Sequence, residues 1–400
     1  LKNYEVDIII PIYGHAEMTK KCIDSVLATT DNNVRIILID DCSPGNEIPI
    51  LFDSYKKIER IVFHRMFVNK GFIGSTKTGA KIGTSPYILF LNSDTESVEK
   101  NWIDKLIPKE KETAIVGTKL LYPLSHSQLL SGKVQHAGVA IMENDIIKDN
   151  DKLYNIFHIF SGQNANFPKV NQRKFMNTVT GACFLVRRDV WNRLGGWDEN
   201  FGKGVYEDVD FCWKVSQRGY CIEYNPETYL YHYESAGSLI KKDHPLQKFG
   251  PENFQYLMRK WYGMIPLNGN YFYGEGTTER WKKYSDNIIN AIACLNKKDF
   301  DNAQGYGMEC INIAPEFHGG YYVVAICLAK KSYYRESIEF LRASLQANPL
   351  FWEARFKLIE EFMNIDEISD ANQEFNLLAE IFPDNQRMKD LYIILKNKQK

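Results

Sequence analysis

The chain has 400 residues, 44% of them hydrophobic and 25% charged, with a formal net charge of -1. That length exceeds one typical domain, the composition is that of an ordinary globular protein, and the balanced charge argues against a general nucleic-acid binder. No segment approaches the roughly 18 consecutive apolar residues of a membrane span; a cytoplasmic location, with membrane-peripheral placement as an alternative, is expected.

The first hundred residues alternate strand and helix patterns. "VDIIIPIY" reads as an apolar strand and "AEMTKKCIDSVLAT" spaces its apolar residues for a helix. "VRIILIDD" and "RIVFHR" are further strands with a helical "EIPILFDSYKKI" between them, "GSTKTGAKIG" opens another helix, and "YILFLNSD" is the fourth strand. Such alternation predicts βαβ units and a parallel sheet covered on both faces. Two of these strands end on acids, at Asp40 and Asp41 and again at Asp94. Acids gathered at one sheet edge suit a metal and phosphate site, because open α/β sheets bind ligands outside the carboxyl ends of their strands.

Residues 120 to 175 are polar and loop-like, with one strand or hairpin through "SGKVQHAGVAI". Order resumes with a strand in "GACFLVRR", a short helix, a Gly195–Gly196 turn and a helical "EDVDFCWKVSQRGY". "CIEYNPETYLYHYESAGS" predicts a last strand pair and a histidine-bearing loop, and "FQYLMRKWYGMIPL" a connecting helix. In the tail, Pro315, Pro349 and Pro383 recur every 34 residues, as do Ala303, Ser337 and Ala371. A 34-residue period with small residues at fixed offsets is the tetratricopeptide pattern. Tyr321, Tyr322, Arg355 and Lys357 are expected to line its concave face. The eight cysteines form no CxxC pair and suit thiols of a reducing compartment. The chain opens on Leu1, so it is expected to be a piece of a longer protein, and the lack of a leader says nothing of the whole.

"NKGFIGSTKTGAKIG" is neither a P-loop, since Ala80 stands where that motif needs lysine, nor a GxGxxG fingerprint. Glu207, Asp208 and Asp210 crowd the start of one helix after a glycine-rich loop. Acids there complement a helix dipole, and a carboxylate facing the strand tips would serve as a general base.

Taken in order, "VDIIIPIYGHAEMTKKCIDSVLAT", "ILIDDCSPG", "NKGFIGSTKTGAKIG", "YILFLNSDT", "GACFLVRRDVWNRLGGWDENF", "YEDVDFCWKV" and "YHYESAGS" resemble an inverting family 2 glycosyltransferase. The resemblance implies an α/β fold of the GT-A type, a Rossmann-like nucleotide-diphospho-sugar transferase domain over 1–250. A connecting helix and linker over 251–280 would follow, then an all-α tetratricopeptide-like solenoid over 281–400. It implies a nucleotide-diphosphate sugar donor, with UDP the expected nucleotide, and Mn2+ or Mg2+ as cofactor. By position, Pro11 and Tyr13 would lie along the nucleobase, Asp40 would accept from the base N–H, and Asp41 would sit by the ribose. Asn69, Gly71 and Lys77 would border the phosphates. Asn92, Ser93 and Asp94 occupy the family's Asp-x-Asp motif, with Asn92 in place of its first acid, and His232 resembles a further metal ligand. Asp208 resembles the catalytic base, with Glu207 beside it. A glycan, protein or lipid-linked acceptor, and a protein partner or self-association through the repeats, are expected. The competing reading is a catalytically weak sugar-nucleotide-binding domain on a repeat-based interaction scaffold; a nucleotidyltransferase, by contrast, would need a basic glycine-rich loop near the amino terminus.

Overall fold

The computed structural model describes residues 3–144, 153–233, 245–266 and 277–398. Strands β1 (Val6–Ile12), β2 (Val34–Asp40), β3 (Ile61–Arg65) and β4 (Tyr87–Leu91) alternate with helices α1 (Ala16–Thr29), α2 (Glu47–Asp53) and α3 (Gly71–Ile82). Then come β5 (Thr95–Ser97), β6 (Thr113–Leu121), β7 (Val134–His136), β8 (Val139–Asn144), β9 (Leu153–His158), β10 (Lys174–Met176) and β11 (Cys183–Arg187). Helices α4 (Arg188–Leu194) and α5 (Glu207–Gln217), strand β12 (Cys221–His232) and helix α6 (Pro245–Lys260) follow.

Ten strands form one mixed sheet in the order β10-β12-β6-β11-β4-β1-β2-β3, with β5 on β12 and β7 on β6; β8 and β9 pair separately. β1 runs parallel to both β2 and β4, so the ends of β2 and β4 open on one edge. This is the GT-A-like arrangement expected. Pro11 lies past the last β1–β4 pair, Ile9 with Phe90, so its missing N–H leaves no bond open on that side. "CIEYNPETYLYH" is one strand rather than a pair. Its register against β6 shifts between Asn225 and Tyr229, so Pro226 sits in an irregularity and the strand continues beyond it. The expected loop beyond Tyr233 lies outside the described residues.

One face of the sheet packs Ile8, Ile10, Leu38, Leu89 and Leu185 with Cys22, Ile23 and Val26 of α1. On the other, Phe90 meets Trp191 at 4.8 Å and Trp197 at 5.1 Å, and Trp197 meets Phe211 at 5.3 Å between ring centres. These rings are nearly all withdrawn from water, and burial of each contributes on the order of 2 kcal/mol. The cluster therefore ties α4, the 195–206 loop and α5 to the middle of the sheet.

Two compact units are present: 1–123 with 134–139 and 165–266, and 124–133 with 140–164 and 267–400. The second is helical from Thr277 onward, with Thr277–Asn296, Phe300–Ile313, Gly319–Lys330, Tyr334–Ala347, Trp352–Asn364, Ile368–Ala379 and Gln386–Lys398. Pro315, Pro349 and Pro383 each follow the end of one of these helices. Ala291, Ala303, Ala325, Ser337 and Ala371 are fully buried, as close helix approach demands. Met142 packs among Tyr284, Cys310, Ala314 and Phe317 in the same unit. Arg355 is buried and paired with Glu374, and Lys357 binds Glu360 and Glu361. Both are thus tied to carboxylates of the helices themselves.

Candidate active site

Beyond β4 the chain turns sharply at Asn92, Ser93 and Asp94. Asn92 N–H donates to the Ala182 carbonyl at 3.0 Å, and the Asn92 carbonyl accepts from Thr95. His232, at the end of β12, places Nε2 at 3.2 Å from Asp94 Oδ1 and 3.3 Å from Asn92 Nδ2. Its Nδ1 lies 2.7 Å from Gln135 Oε1, while the Gln135 amide nitrogen donates to the His232 carbonyl at 3.4 Å. An amide oxygen only accepts, so Nδ1 carries a proton and fixes the ring. Nε2 then faces the Asp94 carboxylate. Burial pushes the Asp94 carboxyl up, but the charge and hydrogen bond of His232 outweigh it and hold Asp94 below the usual carboxylate range.

A ring nitrogen and a carboxylate oxygen facing each other at this distance suit a shared cation. Asp94 and His232 thus offer two groups able to ligate a divalent ion, while Asn92 turns its amide nitrogen toward the ring and contributes no charge. Among the described residues, no group of three His, Cys, Asp or Glu side chains forms a fuller cluster. Gln135 orients the ring from within the polar 120–175 stretch, where the sequence gives no signal for it.

The acids after β2 are engaged from inside. Asp40 is fully buried and accepts from Ser43 N–H at 2.8 Å and from Arg65 Nη1 at 2.7 Å. Asp41 accepts from the backbone N–H groups of Lys70 and Gly71, each at 2.7 Å, and so closes the start of α3. Burial nevertheless raises its carboxyl, with those two hydrogen bonds opposing. Tyr13 is exposed, and Pro11, Asn69 and Ser93 are half-buried. Gly71 adopts φ +71°, and a Cβ there would stand 2.4 Å from Lys203 Cβ. Lys77 Nζ reaches Glu199 at 2.5 Å rather than the strand tips.

The three acids of α5 have three fates. Asp210 is fully buried between Lys214 and Lys260. Glu207 is buried, its Oε2 lacks a hydrogen-bond partner among the described residues, and burial, then the charge of Asp208, push its carboxyl up to about 8. Asp208 is half-buried, with Oδ2 accepting from Gly181 N–H at 2.7 Å. Gly181 and Ala182 are consecutive, so Asp208 and Asn92 hang from neighbouring backbone groups at the start of β11.

The glycosyl transferase family 2 profile matches residues 7–195. The chain is 28% identical over 265 residues to the uncharacterized protein y4gI of Sinorhizobium fredii, covering 64% of this chain and 27% of that protein. It is 27% identical over 238 residues to the O-antigen biosynthesis protein RfbC of Myxococcus xanthus, covering 58% of this chain and 17% of that one. The chain thus spans well under half the length of these relatives. Among solved structures, GalNAc-T7 with UDP, GalNAc and Mn2+ superposes with TM-score 0.50 at 15% identity, covering 72% of this chain and 51% of that one. Sheet order, strand-end geometry and profile agree: residues 7–195 are a glycosyl transferase family 2 domain with a GT-A-like fold, and an all-helical region follows in the same chain.

Proposed function

We propose that the chain is an inverting glycosyltransferase that moves a sugar from a UDP-linked donor to a hydroxyl of a glycan acceptor, with Asp208 as base. The observation that carries this reading is the shared support at Gly181 and Ala182, which sets a half-exposed carboxylate beside the Asn92–Asp94 turn. In a single displacement the acceptor oxygen attacks the anomeric carbon from the face opposite the diphosphate. The bond to the diphosphate breaks, and the acceptor's proton passes to Asp208. Burial, then the charge of Asp208, push the Glu207 carboxyl up to about 8, which favours its protonated form beside that base. Asp94 and His232 would hold a divalent ion that neutralises charge on the leaving diphosphate, and the imidazole favours Mn2+ over Mg2+. Tyr13 offers an open ring face to the nucleobase. The 34-residue recurrence supports a tetratricopeptide reading of the helices, as a place to hold an acceptor carrier or a second copy.

The test is a thermal-shift panel of UDP-glucose, UDP-N-acetylglucosamine and UDP-N-acetylgalactosamine, with and without Mn2+, followed by UDP-release assays. A donor should raise the melting temperature with Mn2+, and Asp208→Asn should keep that shift while turnover falls by roughly 10²-fold. Binding with no UDP release from any donor would favour a sugar-nucleotide-binding module, a reading that Asn92 in place of an acid supports. Full turnover by Asp208→Asn would refute the base assignment.

A further inference from the structure

Helix α6 contributes no group to the proposed chemistry, yet its polar side chains converge on the loop that presents Glu207 and Asp208. That loop is an unusual piece of backbone. Gly202 and Gly204 have φ +63° and +131°, and Val205 and Tyr206 follow at +81° and +71°. Two consecutive non-glycine residues in the left-handed region are disfavoured, most of all for a β-branched valine. Such backbone persists only where its surroundings hold it.

The restraint comes from α6. Asn253 Nδ2 donates to the carbonyls of Phe201 at 3.0 Å, Gly204 at 2.7 Å and Val205 at 3.1 Å, sharing two hydrogens among three acceptors. The Asn253 side chain is buried, so these carbonyls have a partner where water is scarce. On either side, α6 grips the loop's flanks. Tyr256 donates to Asp198 at 3.0 Å, and Lys260 bridges Asp198 and Asp210 at 2.5 and 2.7 Å. Trp261, just past the helix, donates to Asp210 at 2.9 Å.

We propose that Asn253 is a positioning residue for the Glu207–Asp208 pair: its amide holds the 201–206 loop in the left-handed turn from which α5 starts, and so sets where Asp208 points. The consequence for catalysis rests on the reading of Asp208 as base. The competing role is space-filling, and the two roles order the variants oppositely. Asn253→Asp keeps the shape of the side chain but turns a carboxylate toward three carbonyl oxygens and donates nothing. Asn253→Ala loses the shape and the donor together.

The experiment uses the full chain carrying each of these two substitutions. Hydrogen–deuterium exchange needs no substrate: both variants should exchange tenfold or more faster across 201–208, with β1 and β4 unchanged. In UDP release from the donor giving the largest melting shift above, kcat should fall tenfold or more while KM for that donor stays within twofold. Asn253→Asp should be no better than Asn253→Ala. Wild-type exchange in either variant, or wild-type exchange and kcat in Asn253→Asp alone, overturns the proposal. Asp208→Asn separates the two readings: if it is inactive while Asn253→Asp is fully active, only the positioning role fails. If Asp208→Asn is fully active, the base assignment fails, and the exchange data still decide whether Asn253 holds the loop.

Discussion

Replacing Glu207 by glutamine should change how stability depends on pH, and the size of the change follows from the site. Glu207 is buried beside Asp208, one of its carboxyl oxygens lacks a partner among the described residues, and its carboxyl rises from the usual 4.5 to about 8. The folded chain therefore keeps a proton on Glu207 at pH values where the unfolded chain has released it. The stability linked to that proton is complete below about pH 4.5 and is lost progressively as pH rises to about 8, at about 1.4 kcal/mol per pH unit, with no further change above. Glutamine cannot titrate, and any offset from burying its amide is independent of pH. Urea unfolding of wild type and Glu207→Gln at several pH values between about 5 and about 8, followed by tryptophan fluorescence, isolates the effect as a difference of differences. The variant should gain on wild type with each step upward, by several kcal/mol across the window. Parallel stability curves would show that Glu207 ionises normally. The division of charge between the two carboxyls would then be wrong.

Three further outcomes follow from contacts elsewhere. His232→Ala should weaken Mn2+ binding tenfold or more, read from the free-ion signal in electron paramagnetic resonance; unchanged affinity would remove His232 from the ligand set. Gly71→Ala combines φ +71° with a Cβ 2.4 Å from Lys203 Cβ, so it should lower stability by about 1–3 kcal/mol, and an unaltered melting temperature would mean that the 203 loop gives way freely. Ending the chain after Pro266 removes the helices that enclose Met142, and it strips Gln163 of its bond to the Gln346 carbonyl at 3.0 Å. That truncation should aggregate; a soluble, monodisperse product would show that 140–164 needs no helical partner.

The sequence makes the sheet legible for a physical reason. Parallel strands buried on both faces must be continuous apolar runs, so "VDIIIPIY", "RIILI" and "YILFL" stand out, and the acids that end them mark the open edge. What it hides are pairings across long separations. Gln135 and His232 are 97 residues apart, and Asn253 reaches Gly204 across 49. Neither asparagine nor glutamine differs in type from the polar residues around it, so only the folded backbone shows which carbonyl or ring nitrogen each meets. Asp40 and Asp41 are instructive in another way. Their position at the strand end is readable, but Arg65 and the amides of Lys70 and Gly71 occupy them from within. A carboxylate at such a strand end can serve the edge itself.

The first turn of α5 shows the same division within a single motif. Three acids within four residues look interchangeable, and a helix dipole would accept any of them. Packing separates them through what each can reach. Asp210 points inward to two lysines and the Trp261 indole, which makes it the anchor of α6. Glu207 is buried where the described residues offer its Oε2 no donor, and that burial raises its carboxyl. Asp208 is left half in solvent, with an amide donor on Oδ2 from a glycine whose added Cβ would lie only 3.4 Å from that oxygen. Only that residue combines a fixed direction with access from outside, and a proton acceptor needs both. The cluster's charge says that something anionic belongs at the start of this helix, and the hydrogen-bond donors around each carboxyl decide which of the three can take part in a reaction.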